Sequence, residues 1–106
     1  MIITTINDSN FKDFIENNPK VVVKFVADWC GSCKLFAPKY KRIALNETLS
    51  NINFLEINAE ENVMTRKFAK VDNLPFIAIF KEGVLVDGKA ISLEDKALEF
   101  ITTTLL

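Results

Sequence analysis

Apolar residues recur along this chain with two periods, one suited to strands and one to helices. Residues 2–6 form a short β-branched run that predicts a strand. Phe11, Phe14 and Ile15 then recur at helical spacing, with Asp8 or Ser9 placed to cap that helix and Asn17-Asn18-Pro19 to end it. Residues 21–26 are almost continuously apolar, the pattern of a central strand covered on both faces, and Lys24 alone interrupts them. From about residue 32 to residue 49 the period is helical, with Leu35, Phe36, Lys39, Tyr40, Ile43 and Ala44 forming a stripe; Pro38 inside it predicts a kink. Residues 52–58 predict a second central strand, interrupted only by Glu56. A helix over residues 62–69 follows, carrying Val63, Met64, Lys67 and Phe68. Residues 76–80 and 84–86 read as two strands, and the Lys81-Glu82-Gly83 gap between them favours an antiparallel hairpin. Ser92 is placed to cap a last helix that turns Leu93, Ala97, Leu98 and Ile101 inward, and the stretch from Asp87 to Ile91 before it reads as a loop.

The order β-α-β-α-β-α-β-β-α predicts an α/β fold with a mainly parallel sheet, helices on both faces and one antiparallel part. The length of 106 residues fits one domain over residues 1–106, burying roughly 65% of its unfolded surface. Hydrophobic residues make up 49% of the chain and charged ones 25%, which argues against disorder. Thirteen basic and fourteen acidic side chains leave a net charge of −1, so neither a nucleic acid nor an anionic membrane is an expected partner. No apolar run approaches the roughly 18 residues of a membrane helix. The opening MIITTINDSN lacks the features of a secretory signal, and the expectation is a complete, soluble, cytoplasmic and monomeric protein.

Two counts narrow the chemistry. There is no histidine, which removes Ser-His and Cys-His nucleophilic catalysis and imidazole-bound zinc. There are two cysteines, Cys30 and Cys33, separated by Gly31 and Ser32 where a strand gives way to a helix. At a helix start the first thiol lies near the positive end of the helix dipole, which favours the thiolate, the attacking species in disulfide exchange. A C-x-x-C is also half of a zinc site, but with no second pair and no histidine the other ligands would have to come from a partner chain. Plainer readings stand beside these: inert buried thiols, Trp29 as a core residue, Pro75 as an ordinary strand-start proline.

The stretches VVVKFVADWCGSCKLFAP, NLPF, FKEG and EDKALEFI resemble the thioredoxin family along essentially the whole chain. The W-C-G-x-C-K segment with proline five residues after the second cysteine, and Leu74-Pro75 some forty residues on, carry that resemblance. It implies a thioredoxin fold and a protein disulfide oxidoreductase acting as a reductase. Cys30 would be the exposed nucleophile and Cys33 the buried resolving thiol. Trp29, Gly31 and Ser32 would shape the docking surface. Pro75 would be a cis-proline, with Leu74 offering backbone hydrogen bonds to an extended substrate segment. The cysteine pair would be the redox group, with no metal or organic cofactor. Oxidised proteins would be the substrates and a thioredoxin reductase the electron source.

The departures from the family are as informative as the match. Lys24 stands six residues before Cys30, where the family usually carries a buried aspartate, and Glu56 stands where the neighbouring strand usually carries lysine. The two side chains are expected to face each other and neutralise one another, because an isolated buried charge costs several kcal/mol. Functionally, Glu56 would handle the Cys33 proton with Lys24 orienting it; structurally, the two would form only an ion pair. Ser32 replaces the family's commonest residue there, proline, and Ala90 is expected at a glycine position beside the docking groove. Two other functions fit these departures: an interaction module without turnover, or a more oxidising disulfide donor or isomerase.

Overall fold

In the computed structural model, which describes residues 2–106, the elements run β1 (Ile3–Thr5), α1 (Phe11–Asn17), β2 (Lys20–Val26), α2 (Gly31–Ala44), a 3-10 turn (Glu47–Leu49), β3 (Asn53–Asn58), α3 (Val63–Phe68), β4 (Phe76–Lys81), β5 (Val84–Ala90) and α4 (Glu94–Leu105). The strands form one sheet in the order β1-β3-β2-β4-β5. The pairs β1·β3 and β2·β3 are parallel, while β2·β4 and β4·β5 are antiparallel. The central position of β2 explains its apolar run, which only Lys24 interrupts. Val21, Val23 and Phe25 face a core shared with α1 and α3, whereas Val22 faces one shared with α2 and α4. Two helices per face therefore cover the sheet, and Lys24 lies on the α2 side of it.

Several boundaries differ from the sequence pattern, each for a local reason. Helix α2 stops at Ala44, because Asn46 starts a separate 3-10 turn by accepting the Thr48 N–H at 3.0 Å. Leu35 is 74% exposed, since the buried face of α2 is set by Cys33, Phe36, Tyr40 and Ile43, and Leu35 falls a hundred degrees off it. Strand β5 continues to Ala90, so the stretch read as a loop is an edge strand; its polar residues are tolerated there because one face meets solvent. Gly88 allows this strand to press on Phe76, whose ring atoms would stand 2.8 Å from a Cβ at that position. The hairpin closes through Glu82 and Gly83, both at positive φ, as a two-residue type I′ turn requires.

The caps differ too. Neither Asp8 nor Ser9 caps α1, whose N-cap is Asn10; Asn7 Oδ1 instead accepts the Ser9 and Asn10 N–H groups. Asp8 caps a distant helix: its carboxylate accepts the N–H of Met64 at 3.2 Å and both the N–H and hydroxyl of Thr65 at 2.9 and 2.7 Å. The first turn of α3 is thus closed by a residue more than fifty positions upstream. Ser92 does not cap α4, which begins after Leu93 with no side-chain cap, and Leu93 points to solvent; Glu94 and Asp95 supply negative charge to that first turn instead.

Candidate active site

The central strand β2 ends at Val26, and four residues later the chain turns into α2. Cys30 is the N-cap of that helix, and its Sγ accepts the Cys33 N–H at 3.2 Å. The first-turn spacing brings the Cα atoms of Cys30 and Cys33 to 5.3 Å, and the two sulfurs are joined in a disulfide. The Ser32 hydroxyl lies 3.5 Å from Cys30 Sγ, so a hydroxyl and a backbone N–H both face the first sulfur. A negative sulfur at that position would meet the Cys33 N–H and the positive end of a fourteen-residue helix, and the Ser32 hydroxyl could serve either it or the Leu74 carbonyl.

Both cysteines are 4% exposed, so the exposure expected of Cys30 is corrected for the oxidised state. The physical reason is packing: Val26, Ala27 and Leu74 surround the pair, and each sulfur covers the other. Trp29, by contrast, is 69% exposed and is no core residue; its indole N–H donates to Glu60 Oε1. Gly31 and Ser32 are exposed beside it. The Leu74–Pro75 peptide bond is cis, and Leu74 packs against the cysteines from the loop before β4. A groove beside the disulfide is lined by Trp29, Ala59, Glu60, Arg66, Val71 and Leu74, with the Arg66 guanidinium donating to the Ala59 carbonyl at 3.2 Å. The residue that reaches across to Pro75 is Ile91, whose N–H donates to the Pro75 carbonyl at 3.1 Å. Ala90 sits one residue earlier, exposed and opposite Phe76 at the end of β5.

Lys24 and Glu56 are register partners on β2 and β3, and Lys24 Nζ lies 3.0 Å from Glu56 Oε1. Lys24 is 1% exposed, covered by α2 with its ammonium 4.7 Å from the Tyr40 ring centroid and 5.9 Å from that of Phe36. The cation therefore has a carboxylate on one side and aromatic faces on the other, the arrangement that makes a buried ammonium tolerable. Glu56 is one-third exposed at its side chain and so connects this buried charge to solvent. Tyr40 completes the cluster: its hydroxyl donates to the Leu55 carbonyl at 2.8 Å and to that of Val22 at 3.3 Å. Burial first, and then the negative Glu56, hold its pKa well above the ordinary tyrosine value despite the Leu55 hydrogen bond, so it stays neutral.

Lys24 and Cys33 lie on facing surfaces of β2 and α2 but pack with different neighbours. Val22, Lys24 and Val26 share a sheet face and Cys33 and Phe36 a helix face; the Lys24 ammonium lies 5.9 Å from the Phe36 ring centroid, and Val26 packs against the cysteines. Glu60 and Tyr40 are the partners that sequence reasoning did not assign to the site. Glu60 stands in a polar run with no periodicity to single it out, and Tyr40 reads as part of an apolar stripe. Among the described residues no group of three or more His, Cys, Asp and Glu could hold a metal ion, and no helix is long and apolar enough to cross a membrane.

Comparison with known proteins adds to this geometry. A thioredoxin family model matches residues 2–103. The chain is 36% identical over 87 residues to a thioredoxin of Staphylococcus saprophyticus, covering 82% of each chain. It is 37% identical over 87 residues to protein disulfide-isomerase A4 of Mus musculus, but there it spans only about 14% of the relative's length. Among solved structures, the long form of thioredoxin f from spinach chloroplast aligns with a TM-score of 0.86 at 30% identity, covering 96% of this chain and 85% of that one.

Proposed function

The chain belongs to the thioredoxin family, and on that premise we propose that it is a thiol–disulfide oxidoreductase that reduces disulfides in other proteins. One observation carries the reading: a Cys30–Cys33 pair that closes into a disulfide at a helix start, beside an exposed Trp29 and the Leu74–Pro75 segment. In the reduced protein the Cys30 thiolate attacks one sulfur of a substrate disulfide. A mixed disulfide forms, and the other substrate sulfur leaves and takes up a proton. The Cys33 thiolate then attacks Cys30 Sγ, breaks the mixed disulfide, releases the second substrate thiol and leaves the Cys30–Cys33 disulfide. Two electrons and two protons have passed from the cysteine pair to the substrate. The pair itself carries the electrons, so no metal or organic cofactor is required.

Trp29, Gly31 and Ser32 form one wall of the docking surface in this reading, and Leu74 with Pro75 the other. Lys24 and Glu56 act as positioning residues for the Cys33 proton. The buried ammonium favours negative charge on the α2 side of the sheet, and the partly exposed carboxylate links it to solvent. Their test is the pH profile of the resolving step in Lys24→Met and Glu56→Gln. A profile unmoved by either substitution would make the pair purely structural. A thioredoxin reductase is the proposed electron source, oxidised cytoplasmic proteins are the substrates, and the monomer is the working unit.

The decisive experiment follows insulin reduction with dithiothreitol as the electron source. The protein accelerates it and Cys30→Ser abolishes the acceleration. A Cys30→Ser protein that still performed its cellular task would favour a binding module instead. Direction is read from the reduction potential of the pair: about −270 mV marks a reductase, about −180 to −120 mV a disulfide donor or isomerase.

A further inference from the structure

Leu74 occupies an unusual place in the hydrogen-bond pattern. The sheet ladder begins one residue after Pro75, and the Pro75 carbonyl is already taken by Ile91. Among the described residues Leu74 makes no main-chain to main-chain hydrogen bond. As the residue before a proline it is biased to extended geometry, so its N–H and carbonyl form a one-residue strand edge against the cysteine pair. An extended segment approaching Cys30 would pair with that edge by strand addition.

In the free protein both groups are occupied. The Leu74 N–H donates to Asn73 Oδ1 at 2.9 Å, and the Leu74 carbonyl accepts from the Ser32 hydroxyl at 3.5 Å. The two contacts are not equivalent. A carbonyl oxygen has two lone pairs and accepts a second donor, so Ser32 need not leave when a substrate arrives. An N–H has one hydrogen and serves one acceptor, so the contact to Asn73 excludes any other. We propose that the Asn73 carboxamide is a latch over the substrate-pairing edge: docking exchanges the Asn73 Oδ1···H–N Leu74 bond for a bond to the substrate's backbone carbonyl.

The latch selects among disulfides. A substrate with an extended peptide flanking its cysteine regains the bond it displaces. A small disulfide without peptide groups has nothing to exchange, and a flank regains the bond only where it extends as it docks. Asn73 is exposed and contributes to no core, so it is free to swing aside. The inference rests on the reductase reading above, through the site at Leu74.

Asn73→Ala removes the competing acceptor and leaves the Leu74 N–H to water. The KM for insulin should fall about two- to tenfold, the range of one net hydrogen bond. The gain for 5,5′-dithiobis(2-nitrobenzoate), which carries no peptide groups, should be much smaller. Asn73→Asp keeps an acceptor at the same place and should hold the insulin KM at or above that of the parent protein. Amide hydrogen exchange gives a readout independent of catalysis: Leu74 should exchange faster in Asn73→Ala than in the parent or in Asn73→Asp. An insulin KM that is unchanged or raised in Asn73→Ala, or an equal gain for both disulfides, overturns the latch while the reductase reading stands. A parent protein that fails to reduce insulin at all overturns both.

Discussion

Two ion pairs in this molecule look alike on paper and differ in almost everything that sets their worth. Arg42 on α2 meets Glu94 on α4 at 2.7 Å, with side chains 59% and 38% exposed. Lys24 on β2 meets Glu56 on β3 at 3.0 Å, with side chains 2% and 35% exposed. The shorter pair is the one whose partners are the cheaper to orphan. Water and salt screen the Arg42–Glu94 pair, and both charges remain solvated when it opens. Their mutual hydrogen bonding lowers the Glu94 pKa and raises that of Arg42, but these are shifts of groups that face solvent. Lys24 has no such refuge. If Glu56 is lost, an ammonium remains between a sheet and two aromatic rings without a counter-charge. Burial, rather than contact distance, decides what each pair contributes.

The comparison is broken most sharply by removing one partner at a time. Glu56→Gln should destabilise the protein by about 2–3 kcal/mol in urea denaturation, below the full cost of orphaning a buried charge because Glu56 is partly solvated and glutamine keeps an acceptor. Asp8 offers an intermediate case, a carboxylate held by backbone donors rather than by a cation. Asp8→Ala should cost about 1 kcal/mol through the lost α3 cap. Burial raises the Asp8 pKa, but the hydroxyl and N–H of Thr65 and the N–H of Met64 outweigh it and bring the value below the ordinary one of 3.8. Its contribution is therefore complete above the unfolded-state pKa and is lost as pH falls through the lower folded-state value. A denaturation series between pH 6 and pH 2, compared with Asp8→Ala, reads this as two stability curves that converge in acid.

Lys24→Met has the opposite logic to Glu56→Gln. It removes the buried charge, fills its volume, and leaves a carboxylate that solvent reaches, so stability should change by less than about 1 kcal/mol or rise. A large loss in Lys24→Met would mean that the ammonium's contacts with Tyr40 and Phe36 outweigh its desolvation. Arg42→Ala should have the smallest effect, with no measurable change of melting midpoint at physiological ionic strength.

Much of the fold was legible because it follows from local periodicity. The almost continuous apolar run of β2 required cover on both faces, and the Glu82–Gly83 turn required a hairpin. The cysteine spacing with Trp29, Pro38 and Leu74–Pro75 carried the site. What escaped was long-range. Asp8 looks like a local cap, yet its hydrogen bonds go to Met64 and Thr65, because the end of β1 and the start of α3 meet at one edge of the sheet. Leu35 and Leu93 look like core residues, yet they face solvent, because helix phase and starting point are set by the packing partner and not by hydrophobicity alone. Polar residues after Val86 look like a loop, yet they form an edge strand held from one side by β4.

The sequence by itself determined the order of elements, since residue spacing is translated by local sterics and burial directly into structure, and its motifs carried the family resemblance and singled out the cysteine pair. Only the tertiary structure decided that Lys24 and Glu56 share a register, that Glu60 holds the Trp29 indole, and that Asn73 and Ser32 occupy the two polar groups of Leu74. Those contacts join residues with no common periodicity. They arise where separate elements converge at one end of the sheet, and the hydrogen-bonding demands of buried and half-buried polar groups select the partners that meet there.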